Sequence, residues 1–314
     1  MSFNLATMLR ESANDAPDKP LALLGEMSFS YAQVDEVSGR VASALLALGL
    51  ERGDKVAVQL PNLPQFLFTY FAILKAGLVM VPLNPLLRAP EVAYHLADSD
   101  AKLLITFESF ADEAVKGAAQ VEGVTTYVVN LPGNDVRPDG TKHFDELYFA
   151  DDTRDIVPLD PGDTAVLLYT SGTTGTPKGA ELTHDNLRSN AITTADTLFE
   201  FTPEDVVLGA LPLFHAFGQT CAMNAAVYAG ALLTMLPRFD AGKALEVIAR
   251  DRVTVFEGVP TMFTAFLHHP GQAAADTSSL RVCCSGGAAI PVEVLRGFEQ
   301  AFACTVLEGY GLSE

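Results

Sequence analysis

Short apolar or β-branched runs alternate with amphipathic helical stretches along most of this chain, and that alternation narrows its fold more than any other feature. From residue 54, "DKVAVQL", "LPQFLFTYFAILKAG", "LVMVPL", "APEVAYHLADSD", "AKLLITF", "FADEAVKGAAQV" and "TTYVVN" read by turns as strand and helix. The pattern resumes at residue 184 with "HDNLRSNAITTADTLF", "DVVLGALPL", "AFGQTCAMNAAVYAG", "ALLTMLP", "AGKALEVIARDR" and "TVFEGVP". A helix over 261–269, "RVCCSGG", a helix over 291–302 and "TVLEGYG" complete it. Repeated strand, crossover helix and strand call for parallel sheets with helices on both faces. So many strands exceed one comfortable open sheet. The expectation is an α/β fold of two packed, mostly parallel sheets, layered αβαβα, with residues 54–198 in the first sub-domain and 1–53 plus 199–314 in the second. The Gly-, Pro- and Asp-rich stretch 130–144 reads as a long surface loop.

Composition excludes several classes. With 314 residues and 49% hydrophobic content the chain buries a large core, and a net charge of −19 argues against a nucleic-acid surface. The cysteines, Cys221, Cys283, Cys284 and Cys304, show no C-x-x-C pair, and no zinc motif occurs. Reduced thiols and a start without a basic and then apolar segment point to a cytoplasmic protein. The most apolar region, "FLFTYFAILKAGLVMVPL", is broken by Lys75, Gly77 and Pro82 and reads as a helix followed by a core strand, with no membrane span.

Ligands of such sheets sit at the carboxyl ends of strands, and four strand-end loops stand out. In "AVLLYTSGTTGTPKG" a strand runs into a loop where Gly172 and Gly175 forbid its continuation. Thr170, Ser171, Thr173 and Thr174 supply rotatable donors there, glycines let N–H groups converge, and Lys178 adds positive charge, the makings of an anion cradle. The spacing is not that of a P-loop, and turn chemistry alone also selects Gly and Thr. "LPLFHAFG" places His215 among aromatics, a setting that suits packing as well as catalysis. "CCSGGAAIP" is equally a tight turn with Pro291 at a helix start. "LEGYGLSE" brings Tyr310 between glycines and ends on Glu314, by itself a surface glutamate.

In order and spacing these four segments resemble the adenylate-forming superfamily of acyl- and aryl-CoA ligases, luciferases and peptide-synthetase adenylation domains, over nearly all of the chain. The resemblance implies that Thr170, Ser171, Gly172, Thr173, Thr174, Gly175 and Lys178 wrap the β- and γ-phosphates of ATP, with the Thr170 hydroxyl near Mg²⁺. It implies that Gly287 and Ala288 lie along the adenine, that Glu308 and Gly309 border it and that Tyr310 stacks on it. Ser313, where relatives more often have threonine, keeps a hydroxyl for the α-phosphate, and Glu314 would hold the metal. His215 would gate and orient the carboxylate, with Phe217, Gly218 and Ala222 along the acyl site. In "LTHDN" Thr183 as a helix N-cap is explanation enough.

On this resemblance the chain activates a carboxylic acid with ATP and passes the acyl group to coenzyme A. Carboxylate and triphosphate repel, so Lys178, Mg²⁺ and converging N–H groups must bring them in line. Amino-acid-activating relatives carry an aspartate after the gate segment, whereas "FHAFGQTCAMNAAVYAG" has no acid. A medium or long fatty acid is expected, with a coumarate-like aryl acid as the alternative. The small residues Gly218, Ala222, Ala225, Ala226 and Ala229 leave room for an alkyl chain or serve close helix-to-sheet packing. A homodimer is entertained. The family's ribose-binding aspartate, hinge and mobile carboxy-terminal domain would lie beyond Glu314, so the chain is expected to be an incomplete N-terminal AMP-binding domain, inactive alone. A nucleotide-binding or interaction module without catalysis is the reading of another class.

Overall fold

A computed structural model of the chain describes residues 3–153, 155–170 and 175–313. Near the start, β1 (Pro20–Leu24) and β2 (Met27–Ser30) form a tight hairpin whose Gly25 takes φ +59°. Then come β3 (Lys55–Gln59), β4 (Val79–Pro82), β5 (Ala101–Phe107), β6 (Thr125–Val129), β7 (Lys142–His143), β8 (Thr164–Thr170) and β9 (Lys178–Thr183). The last are β10 (Val206–Gly209), β11 (Leu232–Met235), β12 (Val255–Gly258), β13 (Val282–Ser285) and β14 (Thr305–Glu308). Among the described residues they make two seven-stranded sheets, in the orders β7-β6-β5-β3-β4-β8-β9 and β14-β13-β12-β10-β11-β1-β2. Pairing is parallel throughout except for β1 with β2 and β8 with β9. The mostly parallel α/β architecture expected from the alternation is therefore present.

The boundaries differ from the expected ones. The first compact unit takes the chain up to Pro17 and then Tyr31–Arg188; the second takes Asp18–Ser30 and Ser189–Ser313. Of the first 53 residues, only the short hairpin joins the second sheet, because β1 lies in parallel register with β11, Ala22 opposite Leu233. The helix Tyr31–Ala47 packs instead on the helix Pro64–Lys75 of the first unit. Hydrogen-bond register across such a sequence distance leaves no local trace.

In the first unit the helix Pro64–Lys75 starts with proline at its first turn and is buried along its length. It belongs to the core, and no helix among the described residues is long and apolar enough to cross a membrane. Its last residue, Lys75, is fully buried, with Nζ 2.7 Å from Asp35 Oδ1, while Arg10 Nε donates to Asp35 Oδ2 at 2.6 Å. The long stretch 130–144 is mostly irregular, as expected, and Glu108 fastens it by accepting from Asn130, Asn134 and the Leu131 amide.

In the second unit, aromatic rings hold the helices Pro260–Leu267 and Val292–Phe302 to β12. Phe298 and Phe302, four residues apart on one helix face, stack at 4.0 Å between centroids, and Phe256 of β12 meets Phe263 at 5.1 Å and Phe266 at 5.2 Å. This packing fixes the carboxyl ends of β12, β13 and β14, where the glycine-bearing loops begin.

Candidate active site

The Gly- and Thr-rich segment lies between two consecutive, paired strands. β8 and β9 run antiparallel, with Thr170 paired with Lys178 at the mouth, so strand geometry holds the hydroxyl and the ammonium stem opposite each other. Gly175 takes φ +83°, a conformation open chiefly to glycine, and it and Lys178 are exposed while Thr170 is half-buried. Tyr94 braces the returning arm by donating to the Pro177 carbonyl at 2.8 Å, and Tyr169 donates to Asp98 at 2.6 Å on the departing arm. Ser171, Gly172, Thr173, Thr174 and Glu314, expected in the site, lie outside the described residues.

Sequence reasoning treated Lys178 as part of a loop; the structure makes it the first residue of β9. It also passed over His184. Thr183 does cap the following helix, its Oγ1 accepting from Asn186 N at 3.1 Å while Asn186 Oδ1 accepts from Thr183 N at 3.2 Å. The buried His184 next to it accepts the Leu5 amide on Nδ1 at 3.0 Å, and desolvation pushes its pKa down to about 4. The signal available was a histidine directly after a capping threonine, at a position where a solvated side chain is ordinary.

In the second unit the structure draws three of the singled-out segments together. The Gly286 and Gly309 amides donate to Gly258 O at 3.0 Å and Ser285 O at 2.8 Å, so the ends of β12, β13 and β14 are laced side by side. Glu308 reaches back and accepts from the Ile290 amide at 3.1 Å, which pins the loop holding Gly287 and Ala288 to the end of β14. Gly287 takes φ +78°, and both it and Ala288 are exposed. Tyr310 has 92% of its surface open, free to lie on a planar ligand, and Ser313 is half-buried.

The segment "LPLFHAFG" joins this group through Phe217, whose ring sits so close to Gly286 that a Cβ there would fall 2.7 Å from it. His215 is exposed at the head of the following helix, and its Nδ1 accepts from Phe217 N at 3.4 Å. Desolvation on its inner side holds the imidazole below its ordinary pKa. A neutral ring accepting on Nδ1 carries its proton on Nε2, the form able to donate to a carboxylate. Within the expected helical stretch, residues Phe217–Asn224 form a π-helix, a winding frequent at functional sites. Gly218 and Ala222 on it are buried, and a Cβ on Gly218 would lie 2.4 Å from the Pro212 carbonyl oxygen. Of the two purposes open to the small residues, close packing accounts for Gly218.

Mg²⁺ held through phosphate oxygens needs only one or two protein ligands. Among the described residues no group of three His, Cys, Asp or Glu side chains is gathered for a metal, and the Thr170 hydroxyl at the hairpin mouth fits the modest role of a single ligand. A cleft of about 300 Å³ in the first unit, lined in part by Arg52, Lys55, Val79 and Thr164, sits at the amino-terminal ends of β3, β4 and β8, the opposite end from the hairpin mouth.

Parallel sheets with glycine-bearing loops at the carboxyl ends of their strands make this an α/β protein of the ligand-binding kind. Residues 9–314 match the model of the AMP-binding enzyme family, and the chain belongs to that family. It is 34% identical over 336 residues to the long-chain-fatty-acid–CoA ligase of Bacillus subtilis, covering 99% of this chain and 60% of that protein. It is 36% identical over 295 residues to a feruloyl-CoA synthase of an Amycolatopsis species, covering 92% and 55%. The crystal structure of an anthranilate CoA ligase in complex with anthranoyl-AMP matches with a TM-score of 0.94 at 25% identity, over 100% of this chain and 61% of that one. The chain thus spans less than two thirds of the length of these relatives.

Proposed function

We propose that this chain provides the nucleotide- and acid-binding part of an ATP-dependent acid–thiol ligase, which joins a carboxylic acid to AMP and then transfers the acyl group to coenzyme A. The observation that carries the reading is the pairing of β8 with β9, which sets Thr170 against Lys178 at the two ends of a Gly- and Thr-rich segment. A carboxylate cannot expel oxide, so it needs a better leaving group, and attack on the α-phosphorus of ATP supplies AMP. Lys178 would offset the charge of the displaced pyrophosphate, and His215, neutral and protonated on Nε2, would orient the attacking carboxylate. Mg²⁺, when bound, would neutralise part of the triphosphate charge. Gly287, Ala288 and the exposed ring of Tyr310 would receive the adenine.

The acid we favour is a medium or long fatty acid. The similarity to the Bacillus subtilis relative along 99% of the chain supports it, as does the absence of any acidic residue from Phe214 to Gly230 that could pair with an α-amino group. An aryl acid is the second reading, favoured by the 36% identity to the feruloyl-CoA synthase. The test is carboxylate-dependent exchange of pyrophosphate into ATP by the full gene product, with dodecanoate, 4-coumarate and an α-amino acid as competing substrates. Exchange driven by the first or second supports the proposal; preference for the amino acid, or no exchange with any, overturns it.

A further inference from the structure

The two arms that carry Thr170 and Lys178 are both fastened to one helix, Ala89–Ser99. Pairing of β8 with β9 ends at Thr170 opposite Lys178, so Pro177 lies one residue past the ladder and has no N–H of its own to pair. Its carbonyl, part of the peptide group that leads into Lys178, accepts from Tyr94 Oη at 2.8 Å. One turn further along the same helix, Asp98 Oδ2 accepts from Oη of Tyr169, the residue before Thr170, at 2.6 Å. Burial and the Asp98 carboxylate raise the Tyr169 phenol above its ordinary range, so it stays protonated and keeps donating. Between these two bonds the rings of Tyr94 and His95 meet that of Tyr169 edge-on, with centroids 6.4 and 4.5 Å from it. The helix itself is firmly seated. Val92 and Leu96 are fully buried in the core against which Leu167 and Tyr169 pack. Gly117, on the helix Ala111–Ala118, approaches so closely that a Cβ there would lie 2.7 Å from the Ala89 carbonyl oxygen.

Side chains alternate along a strand, so Tyr169 and the Gly179 opposite it share the face turned to the helix, whereas Thr170 and Lys178 share the other. The helix thus grips both arms from behind the face that carries the hydroxyl and the ammonium. We propose that Tyr94 and Asp98 are positioning residues for the phosphate site: Tyr94 sets the peptide plane from which Lys178 projects, and Asp98, through Tyr169, sets the arm that ends in Thr170. This rests on the phosphate role given to Lys178 above. A charge oriented in advance needs no reorganisation as pyrophosphate leaves, and a misplacement of about 1 Å costs up to about a hundredfold in rate. A contact that only held the fold together would act on stability and on both substrates alike. This one acts through Lys178 and on the nucleotide alone.

The test is a double-mutant cycle in pyrophosphate exchange by the full gene product, with dodecanoate or 4-coumarate, whichever drives exchange better. Tyr94→Phe, which removes one hydroxyl, should lower kcat/KM for ATP about tenfold and leave the KM for the acid unchanged. In the Lys178→Ala background the same change should cost less than about twofold, because the group that it positions is gone. Asp98→Ala should lower exchange by a similar factor, and Asp98→Asn, which keeps an acceptor for Tyr169, should recover most of the loss. No loss in Tyr94→Phe, or an equal loss with and without Lys178, overturns the inference and leaves Lys178 its role. Asp98→Asn no better than Asp98→Ala overturns the part given to Asp98. No exchange with either acid, or exchange untouched by Lys178→Ala, removes the reading on which the inference rests, and the inference with it.

Discussion

His184→Asn separates a buried histidine's packing from its protonation. In the native chain Nδ1 of this ring accepts the Leu5 amide, and desolvation holds its pKa at about 4 against an ordinary 6.5. A base whose native pKa lies below its unfolded one binds fewer protons when folded. Stability is then fully present above pH 6.5, declines as pH falls toward 4, and levels off below that. The gap between the two values is worth roughly 3 kcal/mol. Asparagine places its Oδ1 near the position of Nδ1 and can keep the Leu5 bond, but it does not titrate. It also leaves space, a pH-independent loss of about 1 to 3 kcal/mol. Urea unfolding followed by circular dichroism across a pH series should therefore show the native chain more stable near neutrality. Its advantage should shrink, and should vanish or reverse, by about pH 4, the difference between the curves changing by roughly 3 kcal/mol. The protection factor of the Leu5 amide, taken relative to the intrinsic exchange rate at each pH, should fall on acidification in the native chain only. Parallel stability profiles for the two proteins would refute the argument, because every other titrating group is common to both.

Lys178→Ala should lower pyrophosphate exchange by roughly ten- to a hundredfold, the value of a lost charge-assisted contact, while calorimetric acid binding stays nearly unchanged; unaltered exchange would remove Lys178 from the phosphate role. Gly218→Ala forces a methyl to within 2.4 Å of a backbone oxygen and should destabilise the chain by about 1 to 3 kcal/mol in urea titration. Gly286→Ala meets the edge of the Phe217 ring most closely, with the Gly309 carbonyl oxygen at ordinary contact distance, so it should alter acid selectivity in the exchange assay with little change in melting temperature. Asp35→Asn leaves the buried Lys75 ammonium without its carboxylate and should destabilise by about 3 to 5 kcal/mol, seen as an earlier thermal transition.

Local pattern disclosed whatever local pattern determines. Runs such as "AKLLITF" and "TVFEGVP" became β5 and β12 because their composition and length fit a covered parallel strand. The strand-end loops were legible because glycine marks the φ values and close approaches they need, as at Gly175 and Gly287. What the sequence hid was non-local. Nothing near Ala22 announces a partner at Leu233, and nothing in "TPKGAELT" shows that its alternation belongs to a hairpin arm rather than to loop. The π-winding of Phe217–Asn224 shares its residue preferences with an α-helix, so it too could be found only in three dimensions. Glu257 on β12 is fully buried, which local pattern does not announce, because a glutamate beside a glycine at the end of an apolar run is ordinarily solvated.

The short hairpin of β1 and β2 bears on how the protein is made. On a ribosome these strands emerge well before β11, yet the edge they occupy is completed only when β11 appears, since Ala22 pairs with Leu233. At 5 to 20 residues per second that delay is on the order of ten seconds or more. Throughout it, strands that will end as a sheet margin have no template, while the sequence on either side of them can already collapse into the first unit. Contacts this distant in sequence form slowly, so Pro20–Ser30 is where a nascent chain is most open to chaperone capture or to pairing with a neighbouring polypeptide.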